Sequence, residues 1–134
     1  MIKNLFVLVC GAFLFFSCSS NNDALFNTEW KLASIKSAAG ENVTVPTDKV
    51  PNLTIEKEGG AAFGYAGCNQ FRGMAKVEKS TIKFDGVAMT RMMCIDNTVE
   101  NAFTEMLNTV DKFKIKGEEL IMKKGSTEIA VFKK

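Results

Sequence analysis

Hydrophobic and polar residues alternate along most of the chain beyond Asn27. Trp30 and Leu32 alternate with Glu29 and Lys31, and short stretches with the same period of two recur down to the C-terminus. A period of two is typical of half-buried β-strands. Glycine-containing turns separate these stretches at close intervals. The pattern predicts a mainly β fold: a small antiparallel barrel or roll of about eight short strands.

One segment has a helical period instead. Its apolar residues fall on a single stripe, namely Val99, Phe103, Met106, Leu107 and Val110. This spacing predicts one α-helix over about 97–110, packed on the sheet by its apolar face. Asn97, with Glu100 three residues later, resembles a capping box at the start of this helix.

Three local features complete the predicted architecture. Trp30 is expected to be a core residue at one end of the barrel rather than a ligand contact. Asp85-Gly86 predicts a turn, and Val87 to Met93 an extended apolar segment after it. In the last strand, Thr127 to Phe132, the pattern allows either face to be buried.

The first residues are typical of a secretory signal. Lys3 precedes an uncharged apolar run, Leu5 to Phe16, which is short for a membrane span of roughly 30 Å. The run ends at Ser17-Cys18, which resembles a bacterial lipobox. We therefore expect a signal peptide at 1–17, lipidation of Cys18, a polar tether over 18–27 and one folded domain over 28–134. An ordinary secreted protein, with Cys18 unmodified, is the alternative.

Composition excludes several classes of function. The 134 residues include no histidine, which removes the usual catalytic triads, most zinc sites and the usual general base. The net charge of +2 predicts no nucleic-acid partner. We expect no catalytic residue, cofactor or metal, and a monomer. Eleven phenylalanines and seven methionines favour a packed interior over a roomy cavity.

Two segments near the middle of the chain carry a family resemblance. The first runs from Gly67 to Gly73 and the second from Met89 to Cys94. Their motif residues are Gly67, Cys68, Asn69, Phe71, Gly73, Thr90, Met92 and Cys94. As a pair, in this order between a Trp-containing strand and an acidic helix, they resemble the signature of the META domain family, which includes bacterial heat-shock lipoproteins of the HslJ type. Met93 departs from the pattern, since alanine usually precedes the cysteine.

The resemblance implies a compact, lipocalin-like antiparallel barrel with a helix packed on it. It also implies export in bacteria and a link to stress response in some members, without any catalytic activity. With the lipobox, it predicts a lipoprotein in the cell envelope, anchored through Cys18 in the outer membrane and facing the periplasm.

Cys68 and Cys94 are the cysteines left when Cys10, inside the signal, and Cys18 are set aside. An exported compartment is oxidising, which favours a structural disulfide between them. Two free thiols remain the alternative, and the absence of a C-x-x-C motif argues against a redox centre.

Two functions are compatible with these features. The first is a non-catalytic lipoprotein that binds or supports another envelope component. Arg72 and Arg91 are candidate partner contacts, although both could be simply solvated. The second is a carrier that holds a small apolar ligand inside the barrel.

Overall fold

The computed structural model of the protein describes residues 22–134. Within them, a short 3-10 helix, Asn22–Leu25, precedes nine strands and one α-helix, α1 (Thr98–Thr109). The strands are β1 (Trp30–Lys36), β2 (Asn42–Val43), β3 (Asn52–Ile55), β4 (Ala61–Tyr65), β5 (Gln70–Glu78), β6 (Thr81–Met89), β7 (Lys112–Lys116), β8 (Glu119–Lys124) and β9 (Thr127–Lys133).

All pairings are antiparallel, and strands β3 to β9 pair in chain order. Strand β1 pairs with β3 through Trp30 and with β2 through Ile35. Its other edge pairs with β9, which closes the sheet into a ring. The predicted antiparallel roll with one helix is confirmed, with nine strands where about eight were expected.

The pairing between neighbouring strands of the ring is shortest between β6 and β7. These two strands share one register pair, Thr81 with Lys112, beside two backbone hydrogen bonds that involve Ser80 and Asp111. The helix α1 immediately precedes β7 and packs against β1, β2 and β6. Its buried residues are Val99, Ala102, Phe103, Met106 and Leu107, so the predicted apolar stripe is confirmed as core.

Large side chains fill the interior of the ring. Trp30, Phe103 and Phe132 are fully buried, and the Phe103 ring lies 5.4 Å from that of Phe71 and 6.0 Å from that of Phe132. The indole nitrogen of Trp30 donates a hydrogen bond to the Leu25 carbonyl at 3.0 Å. Trp30 is thus a core residue, as predicted. The one polar atom of its side chain has a hydrogen-bond partner.

The part of the predicted tether that the structure describes is folded onto the barrel. Leu25 is fully buried, and the Asn22 side chain donates to the Lys79 carbonyl at 2.7 Å. Asp23 forms an ion pair with Lys57 at 2.8 Å. The predicted signal peptide at 1–17 and the lipidation site at Cys18 lie outside the described residues.

Several local predictions are wrong. Asp85 and Gly86 lie inside the continuous strand β6, where the register with β5 shifts between Arg72 and Met74, because the extra residue forms an irregularity rather than a turn. Strand β6 ends at Met89, so the segment beyond it is not strand.

The cap at the start of the helix and the buried face of the last strand are visible only in the tertiary structure. Asn97 makes no side-chain cap; instead, the Asp96 carboxylate accepts hydrogen bonds from the Thr98 backbone N–H at 2.8 Å and the Thr98 hydroxyl at 2.6 Å. In β9, Ala130 and Phe132 face the core.

The antiparallel order defines two ends of the barrel. The N-terminal end carries Asn22 and Asp23 and the turns at 56–60 and Lys79–Ser80. The opposite end carries the turn at 66–69, between β4 and β5, and the loop at 90–97, between β6 and α1. None of the helices within residues 22–134 is long and apolar enough to cross a membrane.

Candidate functional site

Asn69 organises the end of the barrel that carries the turn at 66–69. Its residue surface is only 5 % exposed. The side-chain oxygen accepts hydrogen bonds from the Met92 backbone N–H at 2.6 Å and the Thr90 hydroxyl at 3.1 Å. Because a buried amide is unfavourable unless its polar atoms are paired, this residue fixes the position of the segment at 90–92.

Glu100 connects the same turn to the helix. One carboxylate oxygen accepts the backbone N–H groups of Cys68 at 3.0 Å and Asn69 at 2.6 Å. The other accepts the side-chain amide of Asn69 at 2.9 Å. Glu100 lies in the first turn of α1, where negative charge is also favoured by the helix dipole. The helix and the turn are therefore locked together by three charge-assisted hydrogen bonds.

Gly67 allows the turn to approach the helix closely. Its φ is +126°, and a Cβ atom there would lie 2.5 Å from the Cγ1 atom of Val99. Any other residue would be strained in its backbone and would collide with the first turn of α1. A glycine at this position is therefore a packing requirement.

A disulfide adds a covalent connection at this end. The structure joins Cys68 to Cys94, with 6.2 Å between their Cα atoms and a separation of 26 residues. The bridge ties the turn at 66–69 to the loop at 90–97, next to the hydrogen bonds of Asn69. The two paired motif segments are thus one structural unit, in which Gly67, Cys68, Asn69, Thr90, Met92 and Cys94 meet.

The loop between β6 and α1 presents apolar side chains to solvent. Met92 is 65 % exposed, and Met93 and Ile95 are fully exposed. Isolated exposed apolar residues are ordinary, but three within four positions form a patch of the kind that marks interaction sites. The disulfide at Cys94 and the Asn69–Met92 hydrogen bond hold this loop in place from inside.

A groove lies beside this loop on the outer face of the sheet. Phe63, Arg72 and Ala88 are adjacent on β4, β5 and β6, and Tyr65 lies opposite Gln70. The groove has a volume of about 640 Å³, within the roughly 300–1,000 Å³ of small-ligand sites. The segment Ala88–Thr90 also lines a second depression of about 680 Å³, which reaches Arg91, Met92 and Glu100.

The remaining motif residues, Phe71 and Gly73, contribute to packing. Phe71 is buried against Phe103, and Gly73 lies in β5 where a Cβ would come within 3.0 Å of the Asp85 carbonyl oxygen and of Val87. Arg72 and Arg91 are both exposed and line neighbouring depressions. The two predicted partner contacts therefore share one side of the barrel.

Sequence reasoning missed three features of this site. The first is the set of hydrogen-bond partners of Asn69, because Thr90, Met92 and Glu100 are remote from it in sequence. Glu100 was assigned to a capping box, because its spacing from Asn97 fits one. The third is the outward face of Phe63 and Tyr65, because alternation along β4 does not show which of its faces is the outer one.

The arrangement at this end is suited to binding. The structure contains, within residues 22–134, no cluster of three or more potential metal ligands. The Tyr65 hydroxyl donates to the Gly67 carbonyl at 2.7 Å, so this ring is held in place beside the groove. Aromatic, methionine and arginine side chains, as found here, are the residue types enriched at protein interfaces.

The fold and this end define a class: small antiparallel β-rolls with one helix, closed at one end by a turn-to-loop disulfide. The model of the META domain matches residues 23–134, and the chain belongs to the META domain family. No curated protein matches the chain.

Two solved structures are similar in fold. The first, described as the NMR structure of a protein from Burkholderia xenovorans, has a TM-score of 0.70 and 23 % identity, with 84 % of each chain covered. The second is another NMR structure, with a TM-score of 0.61 and 24 % identity, covering 83 % of this chain and 92 % of the other. At this identity the likeness is one of fold.

Proposed function

We propose that the protein is a non-catalytic lipoprotein of the bacterial cell envelope that binds another envelope component. The binding surface is the end of the barrel with the disulfide and the apolar loop at 92–95. The observation that carries this proposal is the exposure of Met92, Met93 and Ile95. Their loop is held by the disulfide at Cys94 and by the hydrogen bond from Met92 to Asn69. A fixed apolar loop loses little conformational entropy on binding, so its burial would contribute directly to affinity.

The position of the loop supports a partner away from the anchoring membrane. The chain enters the barrel at the N-terminal end, where Asn22 contacts Lys79, whereas the loop follows the far end of β6. Nine residues of strand span about 30 Å. With a lipid at Cys18 and a tether of a few residues, the apolar loop would point into the periplasm. An outer-membrane location and a role in stress rest on the family resemblance alone.

The filled interior favours binding over carriage of a ligand inside the barrel. Trp30, Phe103 and Phe132 occupy the centre, and Met106 and Met122 are buried around them. A carrier needs a cavity at this place, as lipocalin-type barrels of similar strand number have. The depressions at the disulfide end are instead open to the outer surface.

Site-specific photo-crosslinking in the source bacterium tests this proposal. A photoreactive phenylalanine analogue replaces Met93 at the loop or Lys114 on β7, both exposed. We expect a discrete crosslinked envelope component from position 93 and not from position 114. Equal or absent crosslinking at both positions would contradict the proposed binding end. In parallel, Cys18→Ser should move the protein from the membrane to the soluble fraction.

A further inference from the structure

We infer that the groove between Phe63, Tyr65 and Arg72 binds a peptide segment of the partner in which a carboxylate side chain lies next to a large apolar one. This inference rests on the proposed function, because it assumes that the partner is a protein. It adds the chemistry of the segment that is recognised and the residue, Arg72, that selects it.

The charge of the groove favours an anionic group. Arg72 lies in its wall, and its lining contains no Asp or Glu. Within residues 22–134, neither Arg72 nor Arg91 forms an ion pair with a protein carboxylate. The one carboxylate on the neighbouring depression, Glu100, already accepts three N–H groups. A guanidinium can bind a carboxylate through two parallel hydrogen bonds.

The aromatic side chains favour an apolar group beside that charge. Phe63 and Tyr65 point outwards and are half-buried, while the small residues Ala62 and Ala66 face the core. The small Ala88 lies opposite Arg72 on the next strand, which leaves space between the aromatic rings and β6. Rings fixed on a solvent-facing sheet bury apolar area at little cost in side-chain entropy when a partner binds.

The shape of the surface favours an extended ligand over a compact one. The groove and the second depression share the segment Ala88–Thr90, and the second depression reaches Met92 in the apolar loop. A chain that lies across both would contact Arg72, then Arg91, then the loop. A peptide can follow this path with one acidic side chain at Arg72, whereas a small carboxylic acid would fill the groove alone.

Selection from a random peptide library tests the inference. The purified mature domain is used to select octapeptides from a display library, in parallel with Arg72→Gln and with Lys114→Gln as the matched exposed control. We expect wild type and Lys114→Gln to enrich peptides with Asp or Glu beside Leu, Ile or Phe. Arg72→Gln should lose the acidic preference, and the best peptide should bind it at least about tenfold more weakly, which equals about 1.4 kcal/mol.

Further measurements separate the possible outcomes. Exchange of the acidic residue for its amide in the selected peptide should weaken binding to wild type and leave binding to Arg72→Gln unchanged. The absence of acidic enrichment, or the same motif from Arg72→Gln, would overturn the inference. Octanoate binding that depends on Arg72, without peptide enrichment, would also overturn it in favour of a small carboxylate. A component crosslinked at position 93 together with any of these results would leave the proposed function standing.

Discussion

The carboxylate of Glu100 holds the backbone and the side chain of Asn69 across 31 residues of sequence, with N–O distances of 2.6 and 2.9 Å. This pair connects the helix to the turn that carries Cys68. Since the Asn69 oxygen in turn holds Met92, one buried amide transmits the position of the helix to the exposed loop.

Asn69→Asp should strongly destabilise the domain. It replaces the amide donor by a carboxylate that faces Glu100, so a hydrogen bond is exchanged for repulsion between like charges at a buried position. We expect a loss of about 3 kcal/mol in the free energy of unfolding at pH 7 by urea titration. Protonation of the introduced carboxylate should narrow this deficit as the pH is lowered. The control is Asn101→Asp, which adds the same charge at an exposed position of α1. It should change stability by less than about 0.5 kcal/mol. A deficit that does not depend on pH would refute the repulsion argument.

Gly67→Ala should be more damaging than an equivalent change at another glycine with positive φ. At Gly67 the new Cβ meets Val99 at 2.5 Å, while at Gly40, with φ +82°, no atom lies within 4 Å. We expect Gly67→Ala to cost about 3 kcal/mol and Gly40→Ala about 1 kcal/mol in urea unfolding. Val99→Ala in the Gly67→Ala background should recover part of the difference. Equal effects at both glycines would show that the helix yields to the added methyl group.

Loss of the disulfide should lower stability and loosen the apolar loop. The bridge links residues 26 apart, and in the chain-entropy model such a crosslink contributes about 3.5 kcal/mol. We expect the double variant Cys68→Ala with Cys94→Ala to lose roughly this amount, and amide hydrogen exchange at 91–96 to accelerate. A reductant should have the same effect on wild type and none on the double variant. If reductant leaves the wild-type unfolding midpoint unchanged, the two cysteines are not bonded in solution.

The start of the helix should depend on Asp96 and not on Asn97. Hydrogen bonds from the hydroxyl and then the backbone N–H of Thr98 hold the pKa of Asp96 below its ordinary value of 3.8. Because the folded pKa is the lower one, this stabilisation is present above about pH 4 and is lost as the pH falls through the folded pKa. An NMR titration of the Asp96 carboxyl should show its pKa moving back towards 3.8 in Thr98→Ala. Asn97→Ala should leave the pKa of Asp96 unchanged. A larger rise of this pKa in Asn97→Ala than in Thr98→Ala would contradict the expected dependence on Asp96.

Most of the fold could be predicted because alternation and helical spacing are local signals. The residues of the predicted helix stripe, from Val99 to Leu107, lie in the core as expected. The position of Asp96 as the cap was not predictable from spacing, because Asn97 fits the same motif. Which of the two residues caps the helix depends on how the disulfide loop enters it.

The site was only partly predictable, for a different physical reason. The paired segments around Cys68 and Cys94 were visible in the sequence, but the partner of Asn69 depends on where α1 docks. The outward face of Phe63 and Tyr65 has a similar origin. The residues on the inner side of β4 are small, since Ala62 and Ala66 are both buried, and the two aromatic rings occupy the outer side.

The pairing of β1 with β9 also bears on the order in which the chain can fold. Lys31 and Lys133, in the first and the last strand of the chain, lie side by side in the ring. Such a topology has a high contact order and favours slow folding. The edges of β1 and β8 remain open until the last strand arrives between them, which exposes unpaired backbone to other chains. Deletion of the seven residues of β9 would therefore convert the closed ring into an open sheet. The two unpaired edges of that sheet would be prone to aggregation.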